Sequence, residues 1–224
     1  MKINRIFKTI FMSDFISGLS IAIRKISRKG CSRFMDSALD WVNKYELNKV
    51  VAITKRNILK KTDGLFFDEV QNAIKNDSEV NLEEIYIDNM AQQMVINPQQ
   101  FNKSVLVSTN LFMDIISELA SGIVGSIGLI YSANMGYSYA MFEAAHGSAP
   151  PFKGQNKANP TATILAGAWM VEYLGESHIK DAIFSATEHV INEGKTITFD
   201  IGGNASTSQM TDAITVLAKE KLRK

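Results

Sequence analysis

Apolar and polar positions along this chain switch repeatedly between two periods, and the switching predicts an α/β protein. Ser32 to Leu47 places Phe34, Ala38, Trp41, Val42 and Tyr45 on one stripe at helical spacing. Lys49 to Thr54 is then a short β-branched run, the mark of a buried parallel strand. A helix is expected from Thr62 to Lys75, with Thr62 as its N-cap. Glu84 to Asp88 reads as a second strand, and Asn89 to Ile96 as a helix stopped by Pro98. Ser104 to Ser108 forms a third strand that leads into a helix from Asp114 to Val124. Strand, helix, strand, helix implies a largely parallel sheet flanked by helices.

Beyond residue 125 the texture changes, which puts a soft boundary near Gly125. Gly125 to Gly136 is glycine-containing and built from small residues. Pro160 to Leu174 predicts a very apolar helix that includes Ile164, Leu165, Trp169 and Met170. Glu176 to Asn192 and Thr207 to Lys224 predict two amphipathic helices, with a strand and tight turn over Thr196 to Gly203 between them.

Composition narrows the function classes. Apolar content of 46% and charged content of 21% are ordinary for a globular chain. A formal net charge of +1 gives no sign of bulk nucleic-acid binding, and no apolar run is long enough to span a bilayer. Cys31 is the single cysteine, so no internal disulfide forms, and no Cys/His set has zinc spacing. Cys31 reads as a small buried or helix-surface residue. His178 and His189 lie on predicted helices with no motif around them and read as surface or capping residues. The first thirty residues carry Lys2, Arg5, Lys8, Arg24, Lys25, Arg28 and Lys29 against Asp14 alone. Ile3, Ile6, Phe7, Ile10 and Phe11 recur there at helical spacing. An organellar presequence, a short leader and the remnant of a longer protein are the readings open for that segment.

Candidate chemistry comes from strand ends and one loop. Functional groups of α/β sheets gather where the strands' C-terminal ends open into loops. Lys55 ends the first strand, where a neighbouring cation and burial would tune it for proton transfer; a strand-end lysine in solvent is the plain alternative. Asp88 ends the second predicted strand. Asp114 and Glu118, at i and i+4, project from one helix face. Converging carboxylates suit a hard divalent cation, although alone such a pair is ordinarily a solvated face. The loop Phe142 to Pro150, with His146-Gly147-Ser148-Ala149, continues through Gly154-Gln155-Asn156-Lys157-Ala158-Asn159-Pro160. It offers backbone N–H groups, a flat ring and an amide, which suit the adenosine half of a dinucleotide.

Taken in order, these segments resemble the metal-dependent β-decarboxylating dehydrogenases: isocitrate, homoisocitrate and isopropylmalate dehydrogenases. Thr54-Lys55-Arg56-Asn57-Ile58-Leu59-Lys60-Lys61-Thr62-Asp63-Gly64-Leu65-Phe66 is similar to the family's catalytic-lysine segment, closest in wording to the isocitrate and homoisocitrate enzymes. Tyr86 to Gln93 resembles the segment of the first metal-site aspartate, and Thr109 to Ala120 the segment of two more. The similarity runs from about Ile21 to about Ala218 in family order. It implies an incomplete isopropylmalate dehydrogenase-like fold. Residues 1–20 would be a leader without a family match. Residues 21–125 would be a small, central, dimer-forming region, and residues 126–224 the C-terminal part of a large cofactor-binding domain.

The resemblance also implies roles. Mg²⁺ or Mn²⁺ would be held by Asp88, Asp114 and Glu118, and would polarise the hydroxyl of a 2-hydroxy acid as a Lewis acid. Lys55 would assist proton transfer, with Asn57 near nicotinamide and substrate. His146 would stack on adenine, Asn159 would bond its edge, and Gly147, Ser148 and Ala149 would complete the cofactor loop. NAD is the expected cofactor and NADP the alternative, because Pro151-Phe152 matches neither usual specificity pair and Asn97 replaces a phosphate-binding arginine. The expected reaction is oxidative decarboxylation of isocitrate or homoisocitrate. A cytoplasmic setting is expected, with the mitochondrial matrix as alternative.

Three departures stand out. Glu118 replaces an aspartate, lengthening its reach by one methylene; Met113 replaces a glycine; Ala144 replaces a proline. The family's long N-terminal part, with its arginines for substrate carboxylates and its tyrosine, has no counterpart here. The expectation is therefore a homo-oligomer, or a hetero-oligomer with a full-length homologue that supplies the missing clamp. A non-catalytic regulatory subunit or a truncated remnant is the competing reading.

Overall fold

The computed structural model describes residues 20, 22–75 and 79–223. The basic amphipathic segment expected near the N-terminus lies outside the described residues up to residue 19. The chain divides into two compact units, residues 1–86 with 103–107, and residues 87–102 with 108–224.

The first unit is built on a three-stranded sheet. Its strands are β1 (Lys49–Thr54), β2 (Asn81–Tyr86) and β3 (Ser104–Ser108), in the order β2-β1-β3. β1 runs parallel to β2 from Lys49 opposite Asn81 to Thr54 opposite Tyr86. Burial of every residue from Val50 to Thr54 explains the unbroken apolar run. Helix α1 (Arg28–Lys44) starts four residues before the predicted Ser32, because Ser27 accepts a hydrogen bond from the Gly30 N–H at 3.2 Å. Its buried stripe is Cys31, Met35, Ala38 and Val42, rotated from the predicted one. Phe34 and Tyr45 are exposed, and Tyr45 instead packs against Trp41 with ring centroids 4.6 Å apart. The slender residues face the core, where each buried Met or Val contributes roughly 1.5–3 kcal/mol. Cys31 is buried, and burial together with the charge of Glu69 raises its thiol pKa.

Helix α2 (Thr62–Ile74) begins at Thr62 as expected, but the residue before it, Lys61, occupies the cap position without a side-chain bond. Phe66, Phe67, Val70 and Ile74 of α2 join the α1 stripe and β1 in one core.

The second unit holds α3 (Ile87–Ile96), α4 (Asn110–Val124), β4 (Tyr131–Met135), β5 (Ala140–Ala144), α5 (Thr161–Tyr173), α6 (Ser177–Glu193) and α7 (Thr207–Leu222). Ile87 and Asp88 belong to α3 and not to the strand they were expected to finish. Helix α4 starts four residues earlier than Asp114, with Thr109 at the cap and its carbonyl accepting from Met113 N–H at 3.1 Å. Gly125 closes α4 in a left-handed conformation, φ 113°, which glycine adopts freely.

β4 and β5 form an antiparallel hairpin that the small-residue texture concealed, with Tyr131 opposite Ala144. Trp169 of α5 locks onto it edge-on, 5.8 Å from Tyr131 and 5.7 Å from Phe142. α6 and α7 pack through Ala186, Val190, Met210, Ile214 and Ala218. The strand expected over Thr196 to Gly203 is instead a single 3-10 turn, Phe199–Ile201. Its backbone bonds inward, Gly203 N–H to Thr198 O and Ala205 N–H to Ile197 O, both at 2.9 Å, leaving no ladder to join.

Candidate functional site

The loop between β5 and α5 is fastened at both ends. Asn156 takes a positive φ of 54° and caps α7: its Oδ1 accepts from Ser208 N–H at 3.1 Å and its Nδ2 donates to Ser208 Oγ at 2.8 Å. The carbonyl of Asn156 accepts from Thr207 N–H at 2.9 Å, and Thr207 Oγ1 donates to the Ala158 carbonyl. A capping box of Ser206 and Gln209 completes the start of α7. The loop therefore rests on a preformed helix terminus.

At the other end, buried Asn159 links three segments. Its Oδ1 accepts from Thr161 N–H at 3.0 Å, satisfying the first turn of α5. Its Nδ2 donates to Asp200 Oδ2 at 3.0 Å. Asp200 also accepts from Ser126 Oγ, and from Thr198 Oγ1 at 2.6 Å. Burial pushes the Asp200 carboxyl pKa up, yet the bonds from Ser126, Thr198 and Asn159 outweigh it and hold the group below the usual carboxylate range. Ser126 Oγ further accepts from Gly128 N–H at 3.0 Å. A Cβ on Gly128 would sit 2.8 Å from the Asn159 Cβ, so only glycine fits there.

These groups wall a cavity of about 380 Å³ lined by His146, Gly147, Ala149, Asn159, Phe152 and Phe199, among others. Four of the five expected cofactor residues thus meet in one place; Ser148 is exposed beside them. His146 is half-buried, with Nδ1 2.9 Å from the Gly147 carbonyl. Ala149 holds a left-handed conformation, φ 43° and ψ 61°, that turns the loop into the cavity. Phe152 and Phe199 pack with centroids 5.6 Å apart, so the cavity has an apolar wall. Asn159 spends its carbonyl oxygen on α5 and one amide hydrogen on Asp200. Asp200 was missed from sequence: it lies 41 residues from Asn159 and 74 from Ser126.

In the first unit, Lys55 follows Thr54 at the C-terminal end of β1. Its Nζ lies 5.8 Å from the ring centroid of Tyr86, the last residue of β2. Its carbonyl accepts from Ile58 N–H at 2.9 Å and Leu59 N–H at 2.8 Å, winding a turn that exposes Asn57.

Asp88 is exposed in the first turn of α3, and Asp114 and Glu118 are exposed on successive turns of α4. Among the described residues no three His, Cys, Asp or Glu side chains gather closely enough to hold a metal ion. The single chain therefore does not assemble the expected carboxylate set. Met113 is accommodated half-buried on α4. His178 and His189 are exposed, as expected. Among the described residues no helix is long and apolar enough to cross a membrane.

Comparison with known proteins gives this arrangement a lineage. The profile of the family described as isocitrate/isopropylmalate dehydrogenase matches residues 11–214. A mitochondrial regulatory chain of NAD-linked isocitrate dehydrogenase from Dictyostelium discoideum is 38% identical over 210 residues, covering 93% of this chain and 59% of that protein. The isocitrate/homoisocitrate dehydrogenase of Thermus thermophilus is 40% identical over 196 residues, covering 88% of this chain and 58% of that protein. The crystal structure of isocitrate dehydrogenase from Methylococcus capsulatus superposes with a TM-score of 0.86 at 38% identity, covering 93% of this chain and 62% of that one. This chain thus spans less than two thirds of the length of these relatives. A profile match over most of its length, the shared α/β architecture and identities near 40% together establish that the chain belongs to the isocitrate/isopropylmalate dehydrogenase family.

Proposed function

We propose that this chain takes part in oxidative decarboxylation of isocitrate, or of a close 2-hydroxy acid such as homoisocitrate, with reduction of NAD. The observation that carries the reading is the cavity where His146, Gly147, Ala149 and Asn159 converge. Its apolar wall, half-buried imidazole and exposed backbone suit an adenosine moiety. Phe152 and Phe199 bring no cation to that wall for a 2′-phosphate, which favours NAD over NADP. Lys55, just after the buried run Val50 to Thr54, would hold or deliver a proton at Nζ, with Asn57 beside the nicotinamide.

Mg²⁺ or Mn²⁺, when bound, would supply Lewis-acid polarisation of the substrate hydroxyl. Because one chain does not gather Asp88, Asp114 and Glu118, the set is proposed to be completed across a boundary between protomers. Leu111, Ile115, Ile123 and Val124 of α4 and Val95 and Ile96 of α3 are exposed apolar residues, which supports an oligomer. The partner is a second copy of this chain, or a full-length homologue, the latter contributing the substrate-carboxylate clamp. A mitochondrial setting has the support of the Dictyostelium relative, which is named as mitochondrial.

A second reading, that of a regulatory chain, is favoured by the name of that same relative and by Glu118 in place of aspartate. One assay separates the two. The purified chain, alone and mixed with a full-length homologue, is supplied with isocitrate, NAD and Mn²⁺, and NADH is followed by absorbance. Turnover contributed by this chain and abolished by Lys55→Ala supports the catalytic reading. Folded chain that only modulates its partner's rate, with Lys55→Ala silent, supports the regulatory one.

A further inference from the structure

We propose that Asp63 is the positioning residue of the Lys55 turn: a buried carboxylate that fixes the backbone from which the lysine projects. The inference rests on the role given to Lys55 above and deepens it.

Three consecutive residues at the end of β1 are each tied to a carboxylate from elsewhere. Thr54 Oγ1 donates to Glu84 Oε1 at 2.6 Å. Lys55 N–H donates to Asp63 Oδ2 at 2.7 Å. Arg56 Nε donates to both Glu84 oxygens, at 2.7 and 2.8 Å, and its Nη2 lies 2.7 Å from Oε2. The Arg56 guanidinium also lies over Phe67, 4.4 Å from the ring centroid. Glu84 is a β2 residue, so one acid grips both neighbours of Lys55 while Asp63 grips Lys55 itself.

Asp63 differs from Glu84 in burial. It is 1% exposed, in the first turn of α2. Its second oxygen forms an ion pair with Arg24 Nη1 at 2.8 Å, outside hydrogen-bond geometry. A buried carboxylate is costly to desolvate, and its charge is retained only where specific donors compensate. Here the compensation comes from one donor, the amide of the candidate catalytic residue, and from the charge of Arg24. Asp63 thus joins β1, the start of α2 and the segment before α1 at Lys55. Its hydrogen bond to Lys55 is made with the backbone N–H, so it acts through position and not through proton transfer.

The test is hydrogen exchange on the full chain, read at Lys55 and at Val51 to Ile53 in wild type, Asp63→Ala and Asp63→Asn, with competitive acetylation of Lys55 read by mass spectrometry. Asp63→Ala is expected to speed exchange at the Lys55 amide on the order of tenfold or more, with the strand interior unchanged, and to raise Lys55 labelling selectively. Asp63→Asn keeps an acceptor for the Lys55 amide and is expected to restore part of the protection; it also serves if Asp63→Ala does not fold. Unchanged exchange and labelling at Lys55 in both variants would overturn the proposal, as would uniform acceleration through β1, which marks a general structural role. In the partner-supplied assay, Asp63→Ala is expected to lower kcat roughly tenfold to a hundredfold with little change in KM. Failure of wild-type turnover, or its persistence in Lys55→Ala, would overturn the catalytic reading alone, since the exchange result does not depend on activity.

Discussion

Asn159 Nδ2 donates to Asp200 Oδ2 at 3.0 Å, and that bond joins the loop before α5 to the turn before α7. Because Asp200 is held below the usual carboxylate range by its donors, its folded-state pKa is depressed. The stability it contributes is fully present above the ordinary aspartate value, near ~3.9, and is lost as pH falls through the folded pKa. Melting temperature measured between about pH 2 and pH 6 is expected to fall less steeply at the acid end in Asp200→Asn than in wild type. Parallel curves would remove Asp200 from the acid transition.

Gly203 leaves no room for a side chain. A Cβ there would lie 2.0 Å from the Ile197 carbonyl oxygen, a backbone atom that cannot swing away. Gly203→Ala is expected to destabilise by about 3 kcal/mol or more, read as a drop in the urea midpoint with an unchanged slope. A shift of only a few tenths of a kcal/mol would mean that the turn relaxes freely.

Removing the Asn156 side chain takes away two bonds at the start of α7 and loosens the loop that leads to Asn159. Asn156→Ala is expected to cost about 1–2 kcal/mol in stability. Weaker dinucleotide binding by calorimetry should accompany it, since the cavity wall is no longer preorganised. Full affinity with reduced stability would show that the loop orders on its own.

Ala149 is a non-glycine residue in left-handed conformation, φ 43°. Ala149→Gly is expected to relieve up to ~1 kcal/mol of strain in the folded state, partly offset by the greater freedom of the unfolded chain. Equal or higher melting temperature together with weaker NAD binding is the predicted pattern; a lower melting temperature would contradict the strain.

How far the chain was readable follows from the range of each signal. The run Val50 to Thr54 announced a buried strand because both faces of that strand are covered, and no partner's identity was needed to see it. The His146 and Asn159 loop was legible because its members lie close together in the chain, so local order already groups them. The helix start at Arg28 was missed by four residues because Ser27 caps it, and a capping residue carries no periodic mark; the start at Asn110 was missed by four as well. The hairpin Tyr131–Ala144 was missed because neither strand has a fully buried residue and β4 does not alternate.

The amino-acid order by itself determined the α/β class, the order of the motifs and four residues of the loop that lines the cavity, since periodicity and loop chemistry act over a few neighbours. Only the tertiary structure decided that Asp200 joins Asn159 and Ser126, that Asp63 and Glu84 grip the Lys55 turn, and that Asp88 opens a helix. The first two outcomes depend on carboxylates meeting donors far away in sequence. Burial selects such partners only after the sheet and helices have packed, because an unsatisfied charge in the interior costs more than any local preference.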